Sequence, residues 1–376
     1  MAILYLTEQQ AWVGKEGECL VVHIPERAEQ QNATKRKARK MTVPLCKIEE
    51  VLIVGEITLS TPAIAGLLNA RVQITYLSQH GHYLGTLNPA LTKNSLLRLS
   101  QHAGYRDPLK KYRLAQNFVT GKLCNMRTIL TRYYRTHPDP QVLASIAQLK
   151  QCLRAARKAQ PDPAFSPLDD EETPEREILP EREEPVAEGR MHGLGSLLGC
   201  EGAGSAAYFS AFKHLIKCDW PHGFSKRIRR PPTDPVNALL SYGYVLLTAQ
   251  VASAVSAVGF DPYIGYLHAS RYGKPALALD LMEEFRPVIV DSVVLGLLNN
   301  HQLSQDDFRQ ELNACLMHEH TRRLFLQRFE ERMQEMIKHP VFGYLVSYRR
   351  CIELQARLLG KYLIGEIPAY IPFAVR

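Results

Sequence analysis

The pattern of hydrophobic and polar residues changes once along the chain, near residue 90. Before that point the apolar runs are short, several are rich in β-branched residues, and turn residues separate them, which is typical of strands. A hairpin is predicted between residues 74–77 and 83–87. A short helix is predicted to begin with Thr61 as its cap and Pro62 in its first turn. The other predicted strands are residues 3–6, 11–13, 19–24, 42–45, 50–54 and 71–77. Many short strands in under about ninety residues indicate a small antiparallel sandwich or barrel.

From about residue 93 onward, leucines and other apolar residues recur at spacings of three and four, which indicates helices. Asp234-Pro235 is a helix start signal and His339-Pro340 is a stop signal. The predicted helices after the first long helical stretch are residues 141–160, 197–212, 234–259, 278–299, 304–315, 320–338 and 342–362. We therefore predict an α+β protein, with a β-sandwich-like domain at residues 1–88 and a larger all-α catalytic domain at residues 89–376.

The net charge of +8 is unevenly distributed. Residues 161–190 contain eleven acidic residues, three arginines and six prolines, so the rest of the chain carries +16. A segment of this composition buries too little apolar surface to order itself, and we expect a flexible or exposed insertion. The basic remainder favours a polyanionic partner over the alternative of general basicity without a specific partner.

Two basic segments are candidates for binding phosphate. Residues 25–41 interrupt the strand pattern, and we expect an exposed loop that is either a solvated run of charge or a polybasic finger on a phosphate backbone. Five of its basic residues are clustered, namely Lys35, Arg36, Lys37, Arg39 and Lys40. The second segment precedes the helix predicted at 234 and is either a phosphate-binding loop or an ordinary basic surface loop. Its basic residues are Lys226, Arg227, Arg229 and Arg230.

The chain contains eight cysteines without a CxxC pair, which favours reduced thiols over a disulfide framework or a zinc ribbon. The N-terminal residues lack the features of a signal peptide, and no apolar run in the sequence reaches the ~20 residues of a membrane span. We therefore expect a cytoplasmic protein with no membrane partner.

Three separated segments carry residues that are suited to one divalent cation. Glu201 lies among small residues, His268 lies in a glycine- and tyrosine-containing segment, and Asp280, Glu283 and Glu284 share an otherwise apolar helical turn. Each has an ordinary alternative: a glutamate at a helix start, a satisfied histidine, and a solvated acidic turn. Carboxylates together with one imidazole suit Mg²⁺ or Mn²⁺ better than a structural zinc, and such sites commonly act on phosphodiesters.

The ordered set of motifs resembles the CRISPR-associated protein Cas1 family over nearly the whole chain. The motifs are EGxxxxxYF from Glu201, RRPPTDPVNALLSYGY from Arg229, and GYLHxxRxGxPxLxLDLMEEFRP from Gly265. The resemblance implies that Glu201, His268 and Glu283 bind the metal. Asp280 is implied as a further acidic catalytic residue behind or beside them.

The resemblance also implies the activity and the partners. The activity is integration of captured double-stranded DNA into a CRISPR repeat by metal-dependent transesterification with Mg²⁺ or Mn²⁺. The partners are DNA, a second copy of the chain joined through the β-domain, and the small subunit Cas2. The candidate DNA-binding residues are Lys226, Arg227, Arg229, Arg230 and Arg271. Two alternatives remain at this point: a metal-dependent endonuclease on branched or free DNA, and a non-catalytic DNA-binding scaffold.

Overall fold

The computed structural model describes residues 2–26, 38–79, 83–89, 94–161, 194–220, 223–228, 231–269 and 272–375. It divides into two compact units, Met1–Thr92 and Lys93–Arg376. The predicted acidic insertion after residue 161 and three of the candidate DNA-binding residues, Arg229, Arg230 and Arg271, lie outside the described residues. All eight cysteines are described and are free thiols.

The first unit contains two four-stranded sheets. Their strands are β1 (Ala2–Leu6), β2 (Trp12–Glu16), β3 (Cys19–Ile24), β4 (Arg39–Pro44), β5 (Ile48–Val54), β6 (Thr58–Leu59), β7 (Gln73–Leu77) and β8 (Tyr83–Leu87). One sheet has the order β1-β5-β7-β8 and the other has the order β4-β3-β2-β6. The predicted antiparallel arrangement is wrong for the first sheet, because β1, β5 and β7 run parallel and only the predicted β7–β8 hairpin is antiparallel.

The parallel pairing follows from the connections and from burial. Helix α1 (Thr61–Asn69) provides the crossover between β5 and β7 that a parallel pair needs. The central strand β5 is buried at all but one of its residues, as parallel strands usually are. Helix α1 begins one residue earlier than predicted, because Ser60 rather than Thr61 accepts the capping hydrogen bond from the Ala63 amide at 3.3 Å. Residues of both sheets and of α1 share one apolar core.

The basic segment at residues 25–41 is only partly a loop. Arg39 and Lys40 belong to β4, which pairs with β3, and the Lys40 ammonium lies 3.0 Å from a Glu16 carboxylate oxygen. The prediction of a loop is therefore wrong for these two residues, because they extend the backbone pairing with β3 opposite Ile24 and His23. Lys35, Arg36 and Lys37 lie outside the described residues.

The second unit is mainly helical. Its helices are α2 (Ser95–Arg106), α3 (Pro108–Thr136), α4 (Pro140–Lys158), α5 (Gly195–Leu215), α6 (Pro235–Val258), α7 (Ala276–Met282), α8 (Ser292–Asn299), α9 (Glu319–Gln334) and α10 (Tyr348–Leu363). The start predicted at Asp234-Pro235 is confirmed, since Asp234 caps α6 by accepting from the Asn237 amide at 2.9 Å. Helix α6 is long and apolar enough to cross a membrane by length and composition, but 67% of its apolar window is buried inside the protein.

The predicted all-α character of this unit is wrong in two short places. Strands β9 (Phe308–Glu311) and β10 (Ala314–Met317) form a hairpin where a helix was predicted at 304–315. Strands β11 (Met336–Lys338) and β12 (Leu345–Ser347) form a second one, which shortens the helices predicted at 320–338 and 342–362. Leu312 has a φ of +52° in the first turn, a conformation that ends a helix. The overall fold class, α+β with a strand-rich region before a helical one, is confirmed.

The helix predicted at 278–299 is broken in the middle. Helix α7 ends at Met282, a π-helical turn occupies Pro287–Asp291, and α8 follows. Pro287 has no amide hydrogen to donate, so regular α-helical bonding cannot run through it. The acidic turn with Glu283 and Glu284 therefore lies at an irregular end of α7, and π-helical turns of this kind are frequent at functional sites.

Candidate active site

Glu201 reaches the interior because α5 lies very close to α3. Gly204, one turn further along α5, allows this approach, since a Cβ at that position would lie 2.3 Å from Leu123 Cδ2 on α3. The Glu201 Oε1 accepts a hydrogen bond from Ser205 Oγ at 2.9 Å and another from the Lys122 ammonium. Burial acts to raise the pKa of Glu201, but the adjacent Lys122 outweighs it and lowers the pKa below its usual value.

Glu283 is buried between two basic side chains just after α7. Its Oε1 accepts from Arg286 at 2.7 Å, and its Oε2 lies 2.8 Å from the Lys122 ammonium. Burial acts to raise the pKa of Glu283, while Arg286, Lys122 and nearby His268 lower it far more. Glu283 is therefore ionised, and its carboxylate faces the same ammonium as Glu201.

Lys122 is a residue of this site that is absent from the candidates predicted from the sequence. It lies on α3, is 2% exposed, and bridges the Glu201 and Glu283 carboxylates. The signal was present in the sequence: Lys122 is one helical turn from both Phe118 and Met126, so it interrupts an apolar face. A lysine in such a position is expected to have a buried acidic partner.

His268 is oriented by Asp280 rather than by a metal-binding carboxylate. Its Nδ1 lies 2.8 Å from Asp280 Oδ1, so Nε2 is the ring nitrogen that remains for a further ligand. Asp280 is fully buried and accepts hydrogen bonds from the amides of Tyr266, Leu267 and His268. Gly265 permits this, because a Cβ there would lie 2.8 Å from the Asp280 carboxylate. The structure thus places Asp280 against Nδ1 of the His268 ring.

Arg286 connects the site to a buried polar network. Its guanidinium stacks over the Tyr244 ring at 4.0 Å from the ring centroid. The Tyr244 and Tyr208 hydroxyls donate to opposite oxygens of Asp291 at 2.6 and 2.8 Å. This network fixes Arg286, and Arg286 in turn fixes the Glu283 carboxylate. Arg286 carries a signal in the sequence as well, since it follows Glu283 at the helical spacing of a facing ion pair.

The candidate DNA-binding residues that the structure describes differ in their environments. Lys226 is exposed. Arg227 is turned inward, donating to Asn237 Oδ1 at 2.8 Å and to Ser241 Oγ at 3.0 Å. Arg227 therefore supports the start of α6, whereas Lys226 is open to an anionic ligand.

The carboxylates of Glu201 and Glu283 and the imidazole of His268 are the kinds of ligand that suit a hard divalent cation. The Lys122 ammonium, however, lies between the two carboxylates. Among the described residues, no three or more His, Cys, Asp or Glu side chains are grouped closely enough to hold a metal as they stand. Lys122 separates the two carboxylates. Even so, Glu283 Oε2 is buried without a correctly oriented hydrogen bond. An anionic oxygen in that condition shares the Lys122 ammonium with a second carboxylate, and the His268 imidazole is near enough to lower the pKa of Glu283. Carboxylate oxygens and an imidazole nitrogen are ligands that suit Mg²⁺ or Mn²⁺.

The fold and the site define a class of protein: a strand-rich unit followed by a helical unit in which two carboxylates share a buried lysine and an oriented imidazole lies near enough to one of them to lower its pKa. A family model described as CRISPR associated protein Cas1 matches residues 4–331. The chain belongs to the Cas1 family, as the sequence motifs indicated.

Curated relatives agree with this assignment. A CRISPR-associated endonuclease Cas1 of Thermus thermophilus is 36% identical over 378 residues, covering 100% of this chain and 98% of the relative. A Cas4 exonuclease and Cas1 endonuclease fusion of Geobacter sulfurreducens is 37% identical over 377 residues. The match covers 99% of this chain but only 60% of the fusion.

Solved structures share the fold at low sequence identity. A casposase bound to integration product superposes with a TM-score of 0.77 at 21% identity, covering 100% of this chain and 95% of that chain. A Cas1 protein from Thermotoga maritima superposes with a TM-score of 0.72 at 22% identity, covering 100% and 99%. The arrangement of a strand-rich and a helical unit is therefore common to these proteins.

Proposed function

We propose that this chain is a CRISPR integrase that joins captured double-stranded DNA to a CRISPR repeat by divalent-metal-dependent transesterification. One observation carries the proposal: Glu201 and Glu283, which are far apart in sequence, share one buried ammonium, and His268 is near enough to Glu283 to lower its pKa. Removing two ionised carboxylates from water costs free energy, and a purely structural site does not need groups of this kind. Their presence near an oriented imidazole therefore supports a functional role.

The cation expected at this site is Mg²⁺ or Mn²⁺, held by Glu201, Glu283 and Nε2 of His268. When bound, it supplies stabilisation of the charge on the phosphoryl oxygens and lowers the pKa of the attacking hydroxyl. Asp280 holds the His268 ring in the orientation that leaves Nε2 free, and Arg286 holds the Glu283 carboxylate. Positioning of this kind commonly changes metal affinity or activity by about 10- to 100-fold.

The reaction exchanges one phosphodiester for another. The 3′-oxygen of the captured DNA forms a bond to a phosphorus atom at the repeat boundary, and the existing bond from that phosphorus to a 3′-oxygen breaks. The displaced strand leaves with a 3′-hydroxyl and takes up the proton that the attacking hydroxyl lost. Because one bond of the same kind forms as one breaks, no cofactor energy is needed and no covalent protein intermediate is formed.

The partners follow from charge and from the relatives. The +16 charge outside residues 161–190 suits binding to DNA phosphates. Among the described residues, the exposed Lys226 is a candidate for contacting them. A Cas6-RT-Cas1–Cas2 complex contains a chain of this fold, with a TM-score of 0.72 at 22% identity. We therefore propose Cas2 as a partner, with this chain acting as a homodimer through its strand-rich unit in the cytoplasm.

The test supplies end-labelled DNA and a supercoiled plasmid carrying the CRISPR repeat, with Mg²⁺ or Mn²⁺ and the Cas2 partner. We expect labelled DNA with a 3′-hydroxyl to join the plasmid and DNA with a 3′-dideoxy end not to. Glu201→Ala, His268→Ala and Glu283→Ala should each reduce joining by more than ~100-fold while DNA binding is retained. Unreduced joining in these variants would remove the catalytic assignment and leave a DNA-binding scaffold.

A second candidate function is metal-dependent cleavage of branched or free DNA, which the name endonuclease of the curated relatives favours. The same assay separates the two reactions. Nicked or shortened DNA without joined product, and equal products from 3′-hydroxyl and 3′-dideoxy ends, would support the endonuclease and contradict the integrase.

A further inference from the structure

The most unusual group in the helical unit is the Lys122 ammonium, which lies where the two metal-binding carboxylates meet. It contacts Oε1 of Glu201 and lies 2.8 Å from Oε2 of Glu283. The side chain is only 3% exposed, whereas most lysines of soluble proteins extend into water. A buried ammonium is stable only when acidic groups compensate it, and here two of them do so.

Glu283 does not depend on Lys122 alone. Its other oxygen, Oε1, accepts from Arg286 at 2.7 Å, and Arg286 is held by the Tyr244 ring. Glu201 has no such second cation among its described contacts, since Lys122 and the Ser205 hydroxyl are its hydrogen-bond partners. Without a metal, Lys122 is therefore the group that neutralises Glu201 and keeps it beside Glu283.

A divalent cation and the Lys122 ammonium need the same oxygen atoms. A cation held by both glutamates would need Glu283 Oε2, the oxygen that lies 2.8 Å from the Lys122 ammonium. Two positive charges this close in a buried site repel strongly. The ammonium must therefore withdraw from its position between the carboxylates when the metal enters.

We propose that Lys122 is a resident counter-cation: it holds the Glu201 and Glu283 carboxylates together in the metal-free protein and weakens metal binding by competing for them. This rests on the proposed function in so far as a metal binds at these residues. Lys122 is then a positioning residue that sets the metal affinity of the site, and its removal has opposite effects on the metal-free and metal-bound protein.

The experiment measures Mn²⁺ binding by isothermal titration calorimetry and the melting temperature with either EDTA or Mn²⁺, using the full chain. Lys122→Met keeps the length of the side chain and removes its charge, while Lys122→Arg keeps a charge. The matched control is Lys111→Met, which removes another buried lysine of α3 whose ammonium lies over the Tyr105 ring. Glu201→Gln identifies the titrated site as this one.

We expect Lys122→Met to bind Mn²⁺ at least ~10-fold more tightly than the unmodified chain, because its carboxylates are no longer neutralised. Its melting temperature in EDTA should fall by about 2 to 4 °C, and the increase on adding Mn²⁺ should be larger than for the unmodified chain. Lys122→Arg and Lys111→Met should each bind Mn²⁺ within about threefold of the unmodified chain. A lysine with a merely structural role would lower the melting temperature without tightening Mn²⁺ binding.

The outcomes separate this proposal from the proposed function. If the unmodified chain binds Mn²⁺ and Lys122→Met binds it equally or more weakly, the counter-cation proposal is wrong while the metal site stands. If neither binds, or if Glu201→Gln binds as well as the unmodified chain, the metal assignment fails and the counter-cation proposal fails with it.

Discussion

At the scale of single residues, two neighbouring glutamates show how environment decides the state of a carboxyl group. Glu283 lies between Lys122 and Arg286 and is ionised. Glu284 is fully buried among neutral donors, and it accepts hydrogen bonds from the Tyr370 hydroxyl at 2.7 Å and the Phe373 amide at 2.7 Å. Burial raises the pKa of Glu284 to about 8. The sequence pattern predicted that both glutamates lie on one face of the same turn. In the structure only Glu283 contacts Lys122, whereas Glu284 contacts Tyr370.

The raised pKa of Glu284 predicts a dependence of stability on pH. Glu284 stays protonated in the folded chain up to about pH 8, while in the unfolded chain it ionises near its ordinary value of 4.5. The folded state then binds more protons, so its free energy of unfolding falls as the pH rises from about 4.5 to 8. Glu284→Gln, a neutral mimic, should match the unmodified chain near pH 4.5 and exceed its stability near pH 8 by a few kcal/mol.

The measurement is urea denaturation of both proteins in EDTA-containing buffers across this pH range. EDTA removes any effect of a metal bound at neighbouring Glu283. Parallel stability curves for the two proteins would show that Glu284 does not carry the pH dependence.

At the scale of elements, close helix contacts and a helix break assemble the site. Gly204 brings α5 onto α3, which places Glu201 beside Lys122. Pro287 ends regular α-helical bonding after α7, which turns Glu283 and Arg286 toward the same interior. The catalytic candidates come from different helices and from one loop, so their geometry depends on how those helices pack.

The contact at Gly204 can be tested with a matched pair of alanine substitutions on α5. In Gly204→Ala the new methyl group would lie 2.3 Å from Leu123 Cδ2, whereas Gly202→Ala adds a methyl group with nothing within 4 Å. We expect Gly204→Ala to destabilise the chain by about 1 to 3 kcal/mol and to reduce DNA joining, because α5 and Glu201 must shift. Gly202→Ala should be neutral or slightly stabilising, because alanine favours a helix by about 1 kcal/mol relative to glycine.

Thermal unfolding and the joining assay, applied to both variants, check this prediction. Equal melting temperatures and equal joining would mean that the α3–α5 contact adapts freely and does not position Glu201.

At the scale of the whole molecule, the distribution of charge is the property most relevant to DNA. Residues 161–190 hold eleven acidic residues and three arginines in a chain whose net charge is +8. Like charges repel across distances of about 10 Å in 0.1 M salt, so this segment opposes the attraction of the basic remainder for phosphate. This repulsion between the acidic residues and DNA phosphates depends on their charge and does not require the segment to be folded.

We predict that replacing the eleven acidic residues of this segment with asparagine and glutamine strengthens non-specific DNA binding. The length of the chain is unchanged, and only the local negative charge is removed. Binding to a double-stranded oligonucleotide should tighten several-fold at about 50 mM salt, and the difference should vanish at about 500 mM salt. Fluorescence anisotropy across a salt series measures this. Unchanged affinity at low salt would show that the segment does not act on the DNA-binding surface.

The sequence by itself determined the order of the two fold types and the family, and it supplied the residues proposed for the site. The change from short β-branched runs to a helical period, the Asp234-Pro235 start, and the motifs around Glu201, His268 and Glu283 are all local patterns. The sequence did not predict the β9–β10 hairpin or the parallel pairing of β1, β5 and β7. These features depend on which strands pair, and local patterns do not determine that.

Only the tertiary structure decided which polar groups share one interior. Helical spacing indicated that Lys122 interrupts an apolar face, but it could not show which acids oppose it. Likewise, the spacing of Asp280, Glu283 and Glu284 suggested one shared face, whereas packing directs them to His268, to Lys122 and to Tyr370 respectively. The physical reason is that a buried charge is stabilised by the groups that surround it in space, and those groups come from distant parts of the chain.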